Sequence, residues 1–255
     1  MKIFESPQEL SRWRKAHHGP MGFVPTMGAL HQGHASLLKK SRAENAVSVL
    51  SIFVNPTQFN DKNDLEKYPR TLDRDLELAS QCGVDVVFLP TFEAMYPDNY
   101  RYVVTERELS QMLCGAHRPG HFDGVLSVVM KLLNIVRPTR AYFGEKDYQQ
   151  LRLIEGMVKA FFMDVEIVPV PTVREEDGLA MSSRNLRLSP ELRQKAPLLH
   201  KTLRTAESSD KAKQILEANG FKVDYICDLE GRRFAAAFLG DVRLIDNLSL
   251  AEVEK

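Results

Sequence analysis

Continuous apolar runs alternate along most of the chain with stretches whose apolar residues recur at helical spacing. The runs are Met21 to Pro25, Val47 to Val54, Val84 to Leu89, Ala141 to Phe143 and Val165 to Val170. Unbroken runs of this kind are expected of parallel strands covered on both faces. Between them, Ser6-Pro7-Gln8-Glu9 has the form of a capping box with proline at the first helical position, predicting a helix to about Ala16. Thr71 to Cys82 reads as a helix closed by Gly83. Val125, Val128, Val129, Leu132, Leu133 and Val136 share one helical face, and another helix is predicted from about Gln149 to Phe162. Such repetition of strand and helix implies an α/β fold with a doubly wound parallel sheet, whose ligands sit beyond the carboxyl ends of its strands.

The pattern changes after Pro169 and Pro171. A polar stretch, Arg174 to Arg187, precedes helical patterns at Pro190 to Thr205 and Asp210 to Asn219. Short strand candidates follow at Val223 to Cys227, Phe234 to Phe238 and Val242 to Ile245. The expectation is a first domain over residues 1–170 and a smaller α+β domain over 171–255, placed as a lid on the first.

Charge narrows the partners. Lys+Arg and Asp+Glu each number 34, so there is no global basic field to hold nucleic acid, and any anion site must be local. Cys82, Cys114 and Cys227 show no metal-binding spacing and read as reduced thiols of a cytoplasmic protein. No apolar run approaches the ~18 residues of a membrane span, and Met1 to Trp13 lacks the apolar segment of an export signal.

Four sequence-distant clusters fall where strands end. In Pro25-Thr26-Met27-Gly28-Ala29-Leu30-His31-Gln32-Gly33-His34, Gly28 and Gly33 let the backbone approach a ligand. His31 and His34 then stand at the start of a helix that takes shape from Ala35, a place suited to an anion such as a nucleotide phosphate. In Phe53-Val54-Asn55-Pro56-Thr57-Gln58-Phe59, Gln58 offers both donors and an acceptor to a small acid bearing hydroxyl groups. In Phe143-Gly144-Glu145-Lys146-Asp147-Tyr148-Gln149-Gln150, Lys146 can place a charge on phosphate, Asp147 can cap a helix or hold a ribose hydroxyl, and Gln150 lies on the same helix face as Asp147. The fourth cluster, Met181-Ser182-Ser183-Arg184, has the composition of a mobile loop that closes on phosphate, and equally that of a polar linker. Arg118 to Phe122 adds a further cation and imidazole. There is no Ser/His/Asp nucleophile arrangement, which fits catalysis by orientation and charge neutralisation.

Taken in order, PTMGALHQGH, SIFVNPTQF, YPRTL, RPGHFDGV, FGEKDYQQL and DGLAMSSRN resemble the pantothenate synthetase (pantoate–β-alanine ligase) family of the HxGH nucleotidyltransferase-like superfamily. The match runs from Val24 to about Arg187 and resumes over Leu239 to Asn247. HxGH alone points only to the superfamily. The resemblance implies a Rossmann-like fold of the HxGH nucleotidylyltransferase type. It also implies ATP-dependent condensation of pantoate with β-alanine, through an enzyme-bound pantoyl adenylate, with release of diphosphate and AMP.

Carried onto matching positions, the resemblance implies that Met27, Gly28, His31, Gly33 and His34 lie against ATP, with His34 as proton donor. Gly144, Glu145, Lys146, Asp147, the backbone of Val173, and Met181, Ser182, Ser183 and Arg184 would complete the ATP site. His31, His34, Lys146 and Arg184 would be the catalytic set, offsetting the repulsion between two anions. Gln58 and Gln150 would bind pantoate, with Gln58 also near β-alanine. Pro25, Met27, Val125, Val128 and Val129 would face the gem-dimethyl group of pantoate. Mg2+ is implied with ATP, and Asp75 is the candidate protein ligand, although Arg74 stands where relatives often carry a second acid. The C-terminal region is shorter than in many relatives, and a homodimer is implied. Two alternatives stay open on the residues alone: transfer of AMP onto a phosphorylated acceptor, and nucleotide binding without turnover.

Overall fold

The computed structural model describes residues 1–253. Among the described residues nine strands form two sheets: β1 (Lys2–Phe4), β2 (Met21–Thr26), β3 (Val47–Ile52), β4 (Val86–Phe88), β5 (Arg140–Gly144) and β6 (Glu166–Val170) in the first, and β7 (Lys222–Leu229), β8 (Arg232–Leu239) and β9 (Val242–Ser249) in the second. The chain divides into two compact units. One comprises Met1–Glu145 with Gln149–Val170, the other Lys146–Tyr148 with Pro171–Lys255.

In the first unit all strand pairs are parallel and the order is β1-β4-β3-β2-β5-β6. The chain winds outward from β2 through β3 to β4, then crosses back to place β5 on the other side of β2. This reversal creates a switch point between β2 and β5, where ligands of doubly wound sheets bind. The unbroken apolar runs are explained by burial on both sides. Val24, Leu50 and Val87 pack with Leu38 and Ala79 of helices Gln32–Glu44 and Leu72–Gln81, while the alternate residues Phe23, Val49 and Phe88 are equally buried. Each such aliphatic side chain contributes about 1.5–3 kcal/mol relative to exposure. Helix His121–Val136 buries Val125, Val128, Val129, Leu132, Leu133 and Val136, as its spacing predicts, and Leu126 beside them.

Several boundaries differ from expectation. The Ser6 hydroxyl accepts from Glu9 N–H but donates to Gln8, so only half of the predicted capping box forms. β1, too short and mixed to stand out in sequence, adds an edge strand beside β4. Helix Gln32–Glu44 begins before Ala35, making His31 its N-cap. In the second unit the single pattern over Pro190 to Thr205 is two helices, Pro190–Lys195 and Leu198–Thr205, separated at Pro197, which has no N–H to continue the first.

The second unit is an antiparallel sheet, β7-β8-β9, with a core of Leu199, Leu203, Leu216, Ala235, Ala237 and Leu244. Its strands exceed their predicted lengths because the ladders continue through polar positions, as in Asp228↔Arg233 and Arg233↔Leu248. The polar stretch after Val170 is tied down rather than left as a loose linker. Arg193 reaches both Glu175 and Asp177 at 2.6 Å, Asn185 donates to Glu175 and to the Ala180 carbonyl, and Arg174 bridges to Ala180.

Candidate active site

The segment after β2 is built around a buried carboxylate. Thr26 Oγ1 donates to the Ser51 carbonyl (2.8 Å) and accepts from Gly28 N–H (3.2 Å), which turns the chain off the end of the strand. Gly28 then takes φ +82°, a conformation strained for any other residue, and a Cβ there would sit tightly, 3.0 Å from Asp75 Oδ2 and from Ile52. Ala29 follows at φ +50°, so two successive N–H groups point inward. Both find Asp75, Ala29 at 2.9 Å on Oδ2 and Leu30 at 2.7 Å on Oδ1, while Thr71 Oγ1 donates to Oδ1 at 3.1 Å. Asp75 is 2 % exposed and three protein donors surround its carboxylate. The expectation that Asp75 ligates a metal is therefore corrected: its oxygens are committed to shaping this turn. Among the described residues no group of three or more His, Cys, Asp and Glu side chains could hold a metal ion.

The two histidines cap the helix that follows. Gly33 N–H donates to His31 Nδ1 (3.1 Å), His31 N–H donates to His34 Nδ1 (3.3 Å), and the rings lie 4.1 Å apart. A ring nitrogen that accepts carries no hydrogen, so each neutral imidazole bears its proton on Nε2. The backbone thus selects one tautomer for both rings and leaves Nε2–H as the donor of each.

The turn after β3 is governed by Asn55, which is 1 % exposed. Asn55 Nδ2 donates to Gln58 Oε1 (3.1 Å) and to the Gly124 carbonyl (3.2 Å), and its Oδ1 accepts from Tyr96 OH (2.9 Å) and Thr57 Oγ1 (3.0 Å). Desolvation pushes the Tyr96 phenol up to about 12, keeping it a donor. With Oε1 so occupied, the Gln58 amide donates from Nε2 to Met27 Sδ at 3.1 Å. Arg118 Nη2 donates to the Gln58 carbonyl at 3.2 Å, and His121 Nδ1 lies 2.8 Å from the same oxygen. The Arg118–His121 pair, expected to face a ligand, therefore braces the Gln58 turn. Helix His121–Val136 approaches this turn closely because residue 124 is glycine: a Cβ there would collide with the Thr57 carbonyl and lie 2.7 Å from Gln58 Cα.

Within the first unit, then, Met27 and Gln58 are brought into contact, while Pro25 continues β2, and Gly144 and Glu145 follow β5, the neighbour of β2. Val125, Val128 and Val129 are buried on one helix. Of the two adjacent glutamines, Gln149 is taken up structurally: its Nε2 donates to the Leu109 and Met112 carbonyls and its Oε1 accepts from Cys114 N–H. Gln150 is half-buried on the same helix.

In the second unit, Lys146 Nζ lies 3.6 Å from Asp147 Oδ2, and the Lys146 carbonyl accepts from Asn247 Nδ2 at 2.9 Å. Met181 N–H donates to the Val173 carbonyl (3.0 Å), closing a tight hairpin. Ser182 Oγ then caps the short 3-10 helix Ser183–Arg187 by accepting from Arg184 N–H (3.3 Å), and Ser183 is buried. Arg174 forks onto Asp246 at 2.7 and 3.0 Å, with His200 Nδ1 3.2 Å away. Burial works against the Asp246 charge, but the close approach of His200 and the paired hydrogen bonds from Arg174 more than offset it and hold the carboxyl below its usual range. Asn55, Asp75 and Asn247 were not assigned these roles from sequence. Their partners are made by the fold, and only the position of Asn55 just after a strand hinted at its part.

The chain matches the family model described as pantoate-beta-alanine ligase over residues 2–249. It is 63% identical over 249 residues to the pantothenate synthetase of Bdellovibrio bacteriovorus, covering 98% of this chain and 99% of that protein. It is 50% identical over 255 residues to the pantothenate synthetase of Coxiella burnetii, covering 100% and 99%. Among solved structures, pantothenate synthetase from Thermus thermophilus superposes with a TM-score of 0.91 at 44% identity, covering 98% of this chain and 99% of the other. A pantoate-beta-alanine ligase from Francisella tularensis, described as complexed with beta-gamma ATP and beta-alanine, gives a TM-score of 0.94 at 42% identity, covering 98% and 97%.

Proposed function

The chain belongs to the pantoate-beta-alanine ligase family, and on that premise we propose that it condenses (R)-pantoate with β-alanine, using ATP, to form pantothenate, AMP and diphosphate. The reading has two steps. The pantoate carboxylate attacks the α-phosphorus of ATP and diphosphate leaves; the uncharged amine of β-alanine then attacks the acyl carbon of pantoyl adenylate and AMP leaves.

One observation carries this reading: the tautomer-selected His31 and His34 pair at the helix start after β2, on a turn held by Asp75. Two Nε2–H donors at a helix N-terminus suit phosphate oxygens whose charge grows as diphosphate departs. Met27, Gly28 and Gly33 supply close backbone on this turn, and His34 is assigned as the donor to the leaving group. Gln58, oriented by Asn55, and Gln150 are assigned to the carboxylate and hydroxyls of pantoate, and Gln58 also to β-alanine. Pro25, Met27, Val125, Val128 and Val129 are assigned to its methyl groups. In the second unit Lys146 and Arg184 are assigned to offset anionic repulsion, with Asp147, Val173, Met181, Ser182 and Ser183 binding nucleotide, and Gly144 and Glu145 doing so from the first.

Among the described residues no group of three or more His, Cys, Asp and Glu side chains could hold magnesium, and the Asp75 oxygens already accept three hydrogen bonds. Magnesium entering with ATP would be held by phosphate and water oxygens. We place the enzyme in the cytoplasm, in keeping with Cys82, Cys114 and Cys227 being thiols outside any disulfide, and as a homodimer. Among the described residues no helix is long and apolar enough to cross a membrane.

The test is a coupled assay with Mg-ATP, D-pantoate and β-alanine, following AMP and diphosphate. AMP release should require β-alanine and match pantothenate formed. Release of AMP indifferent to β-alanine would overturn the ligase reading.

A further inference from the structure

Lys146 sits in a turn, yet its backbone is held by a side chain 101 residues away. Asn247 is 4 % exposed, and both ends of its amide serve this turn. Nδ2 donates to the Lys146 carbonyl (2.9 Å), and Oδ1 accepts from Arg232 Nη1 (2.6 Å). The Arg232 guanidinium in turn lies 4.0 Å above the Tyr148 ring, which rests against Phe234 at 6.0 Å. Residues 146 and 148 are thus both fixed to β8 and β9 of the second unit.

The neighbouring residue works on the other side of the same strand, as alternation requires. Asp246 accepts twice from Arg174, which pairs across the bridge with Ala180, just before the Met181–Arg184 segment. Asp246 Oδ1 also accepts the N–H of Asn247 at 2.8 Å. One dipeptide of β9 therefore grips two segments that are far apart in sequence.

We propose that Asn247 is a positioning residue for Lys146, and that Asp246 and Asn247 together hold the Lys146 turn and the Met181–Arg184 segment in one register. The proposal rests on the reading of Lys146 as a group that acts on ATP. Fixing the carbonyl fixes where the lysine stem begins, so the ammonium explores only the arc its flexible stem allows. A turn carbonyl could be satisfied by water; a buried amide committed to it instead defines a single position.

Steady-state and single-turnover AMP formation would be compared for the full chain, Asn247→Ala, Asn247→Asp, Lys146→Ala and the double variant Asn247→Ala/Lys146→Ala. Asn247→Asp keeps the size and the acceptor for Arg232 but cannot donate to Lys146, so it decides the matter if Asn247→Ala fails to fold. Both single Asn247 variants should lower kcat by about 10-fold or more, within the ~100-fold that a misplacement of about 1 Å can cost, while the KM for pantoate stays within about 2-fold. In the Lys146→Ala background the same change should add less than about 2-fold, because there is no ammonium left to place. Near-normal kcat in both single variants, or losses that multiply in the double variant, would overturn the proposal. If Lys146→Ala alone left AMP formation near normal, the reading of Lys146 would fail instead, a result distinct from either.

Discussion

At the scale of single residues, the site is shaped less by the groups that would meet substrate than by buried polar side chains behind them. Asp75 and Asn55 each commit their hydrogen-bonding capacity to backbone or to a neighbouring side chain, and thereby decide where His31, His34 and Gln58 stand. Hydrogen bonds to a charged acceptor are worth about 1.5–3 kcal/mol, so Asp75→Asn, which turns an N–H toward one of the two amides, should destabilise the chain by that order and lower turnover. Urea unfolding and AMP assays would measure both. Recovery of activity in excess magnesium would return Asp75 to the metal-ligand role that its geometry contradicts. This division also explains what could be read in the sequence. The histidine pair, Gly28 and Gln58 announce themselves by type and local spacing, whereas Ala29 meets Asp75 across 46 residues, a pairing that only the folded sheet creates.

At the scale of elements, the strands and long helices were legible because their apolar patterns answer directly to burial. The edges were not. The start of helix Gln32–Glu44 is set by a histidine acting as a cap, a role usually taken by Ser, Thr, Asp or Asn, so the sequence gives no ordinary signal there. The polar ends of β7, β8 and β9 carry cross-strand pairs rather than core residues, and their pattern fades before the ladder does. Gly124 shows how one element locates another. Gly124→Ala must push helix His121–Val136 away from the Thr57–Gln58 backbone, an overpacking change that costs about 1–3 kcal/mol. Initial-rate measurements should find the KM for pantoate raised well above any change in the KM for ATP. An unchanged pantoate KM would mean that this helix does not set the Gln58 turn.

At the scale of the whole molecule, net charge is zero near neutrality, and stability against acid depends on particular carboxylates. Lys40 and Tyr142 hold Glu44 low, Arg193 holds Asp177 low, and Asp246 is held low by His200 and Arg174 against its burial. A carboxyl whose folded value lies below its unfolded value contributes fully above the unfolded value and loses that contribution as pH falls toward the folded one. Thermal unfolding should therefore be insensitive to these groups above about pH 5 and fall steeply below about pH 4, the ordinary carboxylate range. A Tm that stayed level down to about pH 3 would contradict these assignments. The three-residue excursion of Lys146–Tyr148 into the second unit has a different consequence, for inheritance and engineering. The C-terminal region is not an exchangeable module that ends cleanly at Val170. A chimera joined there would unite Lys146 and Tyr148 from one parent with Asn247 and Arg232 from the other. Recombination of relatives should therefore succeed only when those four positions travel together.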